Sequence, residues 1–543
     1  MALGIFLGIA ALLTVAGRSA RGQASQTSPQ PQRAAGSMRN MLEPGPAVYN
    51  LDDAYLQWPI APSERAYAAI DGKHLHDYVS EIAAISDRYR DNGHPQYWGR
   101  IEGTEADAEN AQWLSDKFKA AGVPDVHIQS FDLPPQWMPQ SWSVSAAGGG
   151  KTVSLVSAQP AINTVGTQGN TLDLEAAYVG LGTAADFAGR DVRGKAVFIY
   201  SIPQPGIWSN SASDYGSVKR AEDGGAAAIF VVICLPGNIR SEFPLLRMSM
   251  ASLMTMANNP AALAAAMGPG KTPSFTMGYQ DGEAMRGLIE QAAAGDPPHV
   301  KVRLDIKMVP GLKTANVWGV LPGMTDEKII VIAHRDGYFE GAGDNASGMA
   351  TMLGLAEYFA KIPKEKRRRT IEFIGSTGHH GTSLGVPYLA QNKDRELAKV
   401  ALVMNAEHTA LTQQYSFAGK LRPANTTNAE HWDFNGSQKL IDIAIKAFAS
   451  FGVPTYAGTD GVAMAEISSV AQLVPSFGVI NVDTYYHTDN ETPDKVPWTG
   501  LGAVTRAFAK IIDDVNKVEI KDLQPPQDNG EIRTQGSSAP KGH

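Results

Sequence analysis

A short apolar run that ends abruptly in histidine and aspartate constrains the fold of this chain more than any other feature. Ile329 to Ala333 are all apolar and are flanked by charged residues, a pattern typical of a buried strand. His334 and Asp336 follow at once, Asp344 comes after a glycine-rich loop, and apolar residues recur at helical spacing from Ser347. This order predicts an α/β unit whose polar residues lie at the carboxyl end of a strand, where open sheets bind ligands.

Two further apolar runs end in the same kind of residue. Arg369 to Gly375 is followed by His379 and His380, and Lys399 to Met404 is followed by Glu407. Strands that alternate with helices of 10–15 residues favour a mostly parallel sheet. The sequence therefore predicts an α/β fold in three layers, with helices on both faces of a mostly parallel sheet and polar side chains gathered at one edge.

The histidines are concentrated at these positions. The chain has twelve, and four of them are His334, His379, His380 and His487, the last in the loop Tyr485–Thr488. Imidazole together with carboxylate is a typical zinc ligand set. A single His-x-Asp is a weak signal, and an aspartate before a helix is often only an N-cap. The recurrence of such residues at three strand ends favours a metal site. The role of His408 is left undecided, and a supporting role is favoured over direct metal binding.

Composition limits the classes of partner. The 543 residues carry a formal charge of −8, and the one basic run, Lys364 to Arg369, is interpreted as a solvated turn. No nucleic-acid partner is expected. Cys234 is the sole cysteine, which excludes an internal disulfide. The apolar run Leu3–Ala16 is typical of a signal peptide and short for a stable membrane span, although an uncleaved anchor is the alternative.

The composition and the pattern of apolar segments predict an exported bacterial protein, periplasmic or extracellular, with a β-rich segment inserted into the main domain. The expected bounds are a signal peptide (1–24), a flexible leader and arm (25–62), the first part of the main domain (63–148), the insertion (149–300), the second part of the main domain with the metal site (301–520) and a disordered tail (521–543).

The motifs resemble a known family. HRDGYFEGAGDNASGMA, beginning at His334, and the later YYHT are similar to the zinc exopeptidases of metallopeptidase family twenty-eight, which include secreted aminopeptidases and glutamate carboxypeptidase. The resemblance covers roughly residues 65–148 and 301–516. DVRGKAVFI and GAAAIFV, within the insertion, resemble the protease-associated domain that is common in that family. The resemblance implies a zinc exopeptidase fold with an inserted protease-associated domain.

The resemblance also implies roles for individual residues. One zinc would be held by His334, Asp344 and Glu407, and another by Asp344, His380 and His487, with Asp344 bridging. Three further residues would act in catalysis: His379 as general base, Tyr486 as hydrogen-bond donor to the oxyanion, and Asp336 as the group that orients His334.

This chain departs from the family pattern at two places. His379 and His380 stand where the family has two glutamates, and Glu407 stands where it has aspartate. Two Zn²⁺ ions with only two carboxylates would carry roughly +2 rather than +1. We therefore expect one firmly held and one weaker zinc ion, the firm one on Asp344, His380 and His487.

The expected function is zinc-dependent hydrolysis of a peptide or related amide, as an aminopeptidase or a carboxypeptidase. Two alternatives stay open. One is a catalytically inactive relative that acts as a binding protein. The other is acyl transfer of the glutaminyl-cyclase type with one zinc, which the insertion disfavours. Candidates for recognising a charged substrate terminus are Arg422, Asn425, Asp460 and Glu466.

Overall fold

The structure is a computed structural model that describes residues 59–203, 210–242, 244–247, 270–293, 295–417, 420–457, 465–481 and 484–525. All of them belong to the unit formed by Tyr49–His543. The predicted signal peptide, nearly all of the predicted leader and most of the predicted tail lie outside the described residues. Within the described ranges, no helix combines the length and the apolar character needed to cross a bilayer.

The regular elements are numbered in chain order. The strands are β1 (Gly99–Arg100), β2 (Asp125–Asp132), β3 (Gln136–Gly148), β4 (Lys151–Ser154), β5 (Gln159–Pro160), β6 (Leu172–Tyr178), β7 (Ala196–Ser201), β8 (Ala228–Ile233), β9 (Ser274–Gly278), β10 (His299–Val309), β11 (Lys313–Leu321), β12 (Lys328–His334), β13 (Gly337–Tyr338), β14 (Thr370–Ser376), β15 (Val400–Glu407), β16 (Thr412–Phe417), β17 (Lys420–Thr427), β18 (Glu430–Asn435), β19 (Thr455–Ala457) and β20 (Ser476–Ile480). The helices are α1 (Gly72–Asp91), α2 (Glu105–Ala120), α3 (Ala184–Phe187), α4 (Ser211–Asp214), α5 (Ser217–Asp223), α6 (Tyr279–Gln291), α7 (Gly348–Ala360), α8 (Pro387–Gln391), α9 (Lys393–Glu396), α10 (Gln438–Ser450), α11 (Ser468–Ala471), α12 (Trp498–Val515) and α13 (Ile520–Leu523). Shorter turns lie at Pro62–Ala69, Ala342–Ser347, Lys364–Lys366, Ala465–Ile467 and Pro493–Lys495.

The first sheet contains the strands that carry the predicted site. Within the described residues its order is β19-β18-β20-β15-β12-β14-β11-β2. Strands β20, β15, β12 and β14 run parallel, whereas β11 and β2 add an antiparallel edge. The predicted mixed α/β fold with a mostly parallel central sheet is confirmed. Parallel strands are joined by crossover helices, which together cover both faces of the sheet. Helix α7, which follows β12, lies on one of these faces.

Strand β12 shows how both faces are buried. Ile329, Val331 and Ala333 pack into a core shared with α1, α7, α10 and α12. Ile330 and Ile332 point to the other face and pack with α8 and α11. All five side chains are inaccessible to solvent. Because successive side chains of a strand alternate between faces, the continuous apolar run places β12 at the centre of three layers.

The second sheet follows the order β4-β3-β10-β6-β7-β8-β9-β5 within the described residues. Strands β6 to β9 are parallel and the others antiparallel. This sheet begins at Gln136 and ends at Val309, outside the bounds of 149 and 300 that the sequence predicts for the insertion. The reason is local, since the glycines at 149 and 150 have φ of 56° and 73° and form the β3–β4 turn inside the sheet.

The interpretation of the basic run Lys364–Arg369 as a solvated turn is wrong for Arg367 and Arg369, which are both buried. Arg369 is fully buried, and its guanidinium donates to the carbonyl oxygens of Val515 and Val518 at 2.6 and 2.7 Å. It also pairs with Glu327 at 2.8 Å. Val515 is the last residue of α12, so its carbonyl oxygen has no partner within the helix, and the buried guanidinium of Arg369 satisfies it.

Candidate metal centre

Three neighbouring parallel strands bring the predicted residues together. His334 is the last residue of β12 and Glu407 the last of β15, while His379 and His380 follow β14 after one turn. Strand β12 pairs with β14 on one side and with β15 on the other. Their carboxyl ends therefore meet at one edge of the sheet, where Asp344 arrives from the turn that precedes α7.

The carboxylate of Asp344 is the centre of the arrangement. Its Oδ1 lies 3.1 Å from Nε2 of His334 and 2.8 Å from Nε2 of His408. Its Oδ2 lies 2.9 Å from Nε2 of His380 and 2.8 Å from Nε2 of His487. These five residues, which we call the Asp344 centre, are 7% exposed or less. Each carboxylate oxygen thus faces a pair of imidazole nitrogens.

The opposite ring nitrogens show which atoms carry protons. Three rings donate Nδ1–H to a main-chain carbonyl oxygen: His334 to Asp336 at 3.1 Å, His408 to Asn481 at 2.6 Å and His487 to Glu242 at 2.9 Å. A carbonyl oxygen only accepts, so Nδ1 holds the proton and Nε2 of a neutral ring presents a lone pair. Those lone pairs face the lone pairs of the Asp344 carboxylate, an arrangement that a cation between them stabilises.

The distances fit a zinc ion. With Zn–N and Zn–O bonds near 2.0 Å, tetrahedral ligand atoms lie about 3.3 Å apart. The contacts around Asp344 are slightly shorter, and Nε2 of His380 lies 2.9 Å from Nε2 of His487. Among the described residues three groups have ligand atoms within 4.8 Å of one another: Asp344, His380 and His487; His334, Asp344 and His408; and His334, His379 and His380. Nε2 of His334 and Oδ2 of Asp344 are buried without a hydrogen-bond partner, and so is Oε1 of Glu407.

Charge is distributed unevenly around the centre. Burial raises the pKa of Asp344, but the histidines outweigh this and hold the pKa well below its usual range. For His380, burial lowers the pKa, and the charge of Asp344 with the contacts to Asp336 raises it to about 9. Burial and the charge of His380 lower the pKa of His487 to about 4. His487 is thus a neutral ring, the form in which imidazole binds metals.

Asp336 fixes the turn that carries two of the histidines. Its carboxylate accepts the backbone N–H of His379 at 3.3 Å and of His380 at 2.8 Å. Its Oδ1 is 3.7 Å from Nδ1 of His334, whereas its own carbonyl oxygen is 3.1 Å from the same atom. Asp336 therefore contacts His334 chiefly through the main chain and His380 through the side chain.

His379 stands beside the centre rather than in it. Its ring stacks on His334, with centroids 4.0 Å apart and planes 8° apart. Its Nδ1 lies 2.7 Å from Oε2 of Glu466, and its Nε2 lies 3.6 Å from Oε1 of Glu407. At 16% exposed it is more accessible than the rings of the Asp344 centre. Tyr486 stacks on His487, with ring centroids 3.9 Å apart.

The structure positions several residues differently from the sequence-based scheme. Glu407 belongs to none of the three ligand groups found in the described part of the chain, whereas the undecided His408 belongs to one. Glu466, a candidate for substrate recognition, hydrogen-bonds His379 and Ser376. The sequence signal that could have identified His408 as a candidate ligand is its position one residue beyond the end of a strand. The other recognition candidates, Arg422, Asn425 and Asp460, have side chains outside the described set.

Imidazoles gathered around one carboxylate at the edge of a mostly parallel sheet form a candidate metal site. Residues 316–512 match the model of Peptidase family M28, which confirms the resemblance of the motifs in this part of the chain. The chain is also 25% identical over 300 residues, 54% of its length, to the aminopeptidase YwaD of Bacillus subtilis (strain 168). It spans 55% of the length of that relative.

Solved structures share the fold. A Peptidase M28 precursor from Shewanella amazonensis SB2B aligns with a TM-score of 0.60 at 17% identity, over 84% of this chain and 98% of that one. The zinc aminopeptidase BSAP from Bacillus subtilis aligns with a TM-score of 0.58 at 16% identity, over the same shares of the two chains. The aminopeptidase from Aneurinibacillus sp. strain AM-1 reaches 0.51 at 18% identity, over 85% and 96%. At these identities the likeness establishes the architecture of the chain.

Proposed function

We propose that this protein is a zinc-dependent hydrolase of the exopeptidase type that cleaves peptide or related amide bonds. The observation that carries the proposal is the Asp344 carboxylate, each of whose oxygens faces two buried imidazole nitrogens within 3.1 Å. The Peptidase family M28 domain and a relative named as an aminopeptidase support peptide as the substrate class. We also propose that the chain is exported, on the basis of its apolar amino-terminal segment.

The firm zinc ion would be held by Asp344, His380 and His487, and a second, weaker ion would reach Asp344 from the side of His334. Glu407 is the predicted third ligand of that second ion. Zinc at this position would supply a Lewis acid that polarises the scissile carbonyl and acidifies a water molecule. Two histidines and one carboxylate leave a fourth position open, as catalytic zinc sites do.

His379 is the proposed general base. Its Nδ1–H donates to the Glu466 carboxylate at 2.7 Å, so Nε2 presents the lone pair that accepts the proton of the attacking water. The same nitrogen then returns the proton to the leaving amine. His379 combines partial exposure with stacking on His334, next to the proposed metal ligands.

A cavity next to the centre offers a place for the substrate. It is lined by Asp336 and His380 on the centre's side and by apolar side chains that include Tyr97, Trp137 and Met138. Trp137 and Met138 belong to β3, so the second sheet walls the cavity. Apolar walls with a few polar groups are usual for ligand sites. Tyr486, packed on His487, remains the proposed donor to the oxyanion.

The test is hydrolysis of a mixed peptide library by the zinc-loaded full chain, followed by mass spectrometry. Each peptide is supplied free, amino-terminally acetylated and carboxyl-terminally amidated. The proposal predicts that terminal residues are released and that one of the two blocking groups abolishes the release. Acetylation is the blocking group expected to do so, because the relatives are named as aminopeptidases. His379→Ala should lose at least about 100-fold in kcat, whereas the exposed control His299→Ala should match wild type.

Three outcomes contradict the proposal in different ways. No turnover by a fully zinc-loaded chain supports the binding-protein alternative. Cyclisation of amino-terminal glutamine without release of amino acids supports acyl transfer. Unchanged hydrolysis by His379→Ala refutes the assignment of the base.

A further inference from the structure

We infer that His408, rather than its neighbour Glu407, is the third protein ligand of the second metal ion. This inference rests on the proposed function, since it concerns the same metal centre. It assigns that ion to His334, Asp344 and His408. The resulting centre has four imidazoles and a single bridging carboxylate.

The first support is position. Nε2 of His408 lies 2.8 Å from Oδ1 of Asp344, nearer than Nε2 of His334 at 3.1 Å. The ligand atoms of these three residues all lie within 4.8 Å of one another. His408 and Asp344 are both 1% exposed, so bulk water does not compete for the space between them.

The second support is the tautomer. Nδ1 of His408 donates to the carbonyl oxygen of Asn481 at 2.6 Å, so the neutral ring has its lone pair on Nε2, the atom that lies 2.8 Å from Oδ1 of Asp344. His487, a proposed ligand of the first ion, is anchored in the same way to the carbonyl of Glu242 at 2.9 Å. Metal-bound imidazoles commonly donate their other N–H to a carbonyl or carboxylate. His408 has that feature as fully as His487 does.

The third support is the backbone. His408 has φ of 50°, a conformation that is uncommon for a residue with a side chain. Its N–H donates to Oδ1 of Asn345 at 3.0 Å, and Nδ2 of Asn345 donates to the carbonyl of Ala406 at 3.0 Å. Asn345 follows Asp344 directly, so the same side chain ties the end of β15 to the loop that carries the bridging carboxylate. His408 is held in register with Asp344.

Glu407, by contrast, faces His379. Its Oε2 accepts from Nδ2 of Asn405 at 2.7 Å and from the backbone N–H of Glu466 at 3.3 Å. Its Oε1 is buried without a hydrogen bond and lies 3.6 Å from Nε2 of His379. The carboxylate is therefore placed to stabilise a proton on His379 rather than to contact Asp344.

The ligand set has consequences for the metal. Two divalent ions with one carboxylate carry a formal charge of about +3, instead of about +2 with Glu407 included. Imidazole-rich sites favour zinc, cobalt, nickel and copper, whereas manganese and magnesium prefer oxygen. We therefore expect cobalt(II) to replace zinc readily, and manganese(II) to bind poorly.

The test is a cobalt(II) titration of the chelator-treated full chain, followed by visible absorption and by metal analysis after dialysis. Wild type, His408→Ala and Glu407→Gln are compared. His408→Ala should abolish one binding site or weaken it at least about 100-fold, and Glu407→Gln should leave every site within about threefold of wild type. An unchanged titration for His408→Ala, or loss of a site in Glu407→Gln, overturns the assignment.

A measurement on the wild type avoids dependence on the folding of the variants. Proton NMR of the cobalt-loaded chain shows a shifted, solvent-exchangeable Nδ1–H signal for each coordinating histidine. Four such signals are expected, from His334, His380, His408 and His487, and the His408→Ala spectrum identifies its own. Three signals in the wild-type spectrum refute the inference but leave the proposed function intact. A wild-type chain that binds neither cobalt nor zinc refutes both.

Discussion

Replacing Glu466 with glutamine tests how His379 is made into a base. The Glu466 carboxylate is 8% exposed, and its Oε2 lies 2.7 Å from Nδ1 of His379. Its other oxygen accepts the hydroxyl of Ser376. Glutamine preserves the size of the side chain but removes the negative charge that stabilises His379 once the ring has accepted a proton.

The expected loss follows from the strength of this contact. A hydrogen bond to a charged group contributes about 1.5–3 kcal/mol. That contribution is realised in the transition state, where His379 carries the proton, and each 1.36 kcal/mol changes a rate tenfold. Glu466→Gln should therefore reduce kcat by about 10- to 150-fold, with KM nearly unchanged because the ground-state contacts of the substrate are untouched.

The assay is steady-state kinetics on the best peptide from the library, with zinc content measured for every sample. Ser376→Ala is the matched control, because it removes the other partner of the same carboxylate and keeps the charge. It should retain kcat within about threefold of wild type. In the His379→Ala background, Glu466→Gln should have no further effect, since the two residues act as a unit. A Glu466→Gln enzyme with wild-type kcat and full zinc would refute the reasoning.

Three further predictions concern stability and reactivity. Arg100→Met should destabilise the fold by about 3–5 kcal/mol in urea unfolding, because the buried guanidinium donates to the carbonyls of Glu340 and Gly341 in the loop beside the centre; a change below about 1 kcal/mol would contradict this. Burial raises the pKa of Glu102 from 4.5 to about 7. The neutral carboxyl group is thus favoured in the folded state. Its contribution to the free energy of unfolding is complete below pH 4.5 and is lost as the pH rises through 7. In the wild type this loss is about 3 kcal/mol of unfolding free energy, since a pKa difference of one unit corresponds to about 1.36 kcal/mol. Glu102→Gln should not show the loss when urea unfolding is measured at pH 4 and at pH 8. The same pH dependence in both proteins would contradict the prediction. Burial also raises the pKa of the Cys234 thiol to about 11, so alkylation by iodoacetamide at pH 8 should be at least about tenfold slower than in urea; equal rates would contradict it.

The strand-end residues were predictable from sequence because their signal is local. An apolar run followed at once by His334 marks a strand and its carboxyl end, and three such runs in an α/β pattern bring those ends to one edge. The same logic located His380 and Glu407. The side-chain directions are not local, since Glu407 turns to His379 only because Asn405 and the backbone of Glu466 hold it there.

Other features depend on contacts that sequence order conceals. Arg369 is buried because it reaches the carbonyl oxygens of Val515, the last residue of α12, and of Val518, which lie 146 and 149 residues further along the chain. The second sheet extends beyond the predicted bounds of the insertion because the glycines at 149 and 150 form a turn within it. His408 could not be assigned from the sequence, because its position over the edge of the sheet depends on a positive φ. A hydrogen bond from its backbone N–H to Asn345 holds this conformation.

Zinc content per polypeptide is the most direct test that Asp344 gathers imidazoles around a metal ion. The purified full chain is dialysed and measured beside Asp344→Asn, which keeps the size of the side chain and removes its charge. Wild type should retain at least about one zinc ion per chain, and Asp344→Asn should retain almost none. Wild type without zinc above background, or Asp344→Asn with the wild-type amount, would contradict the account.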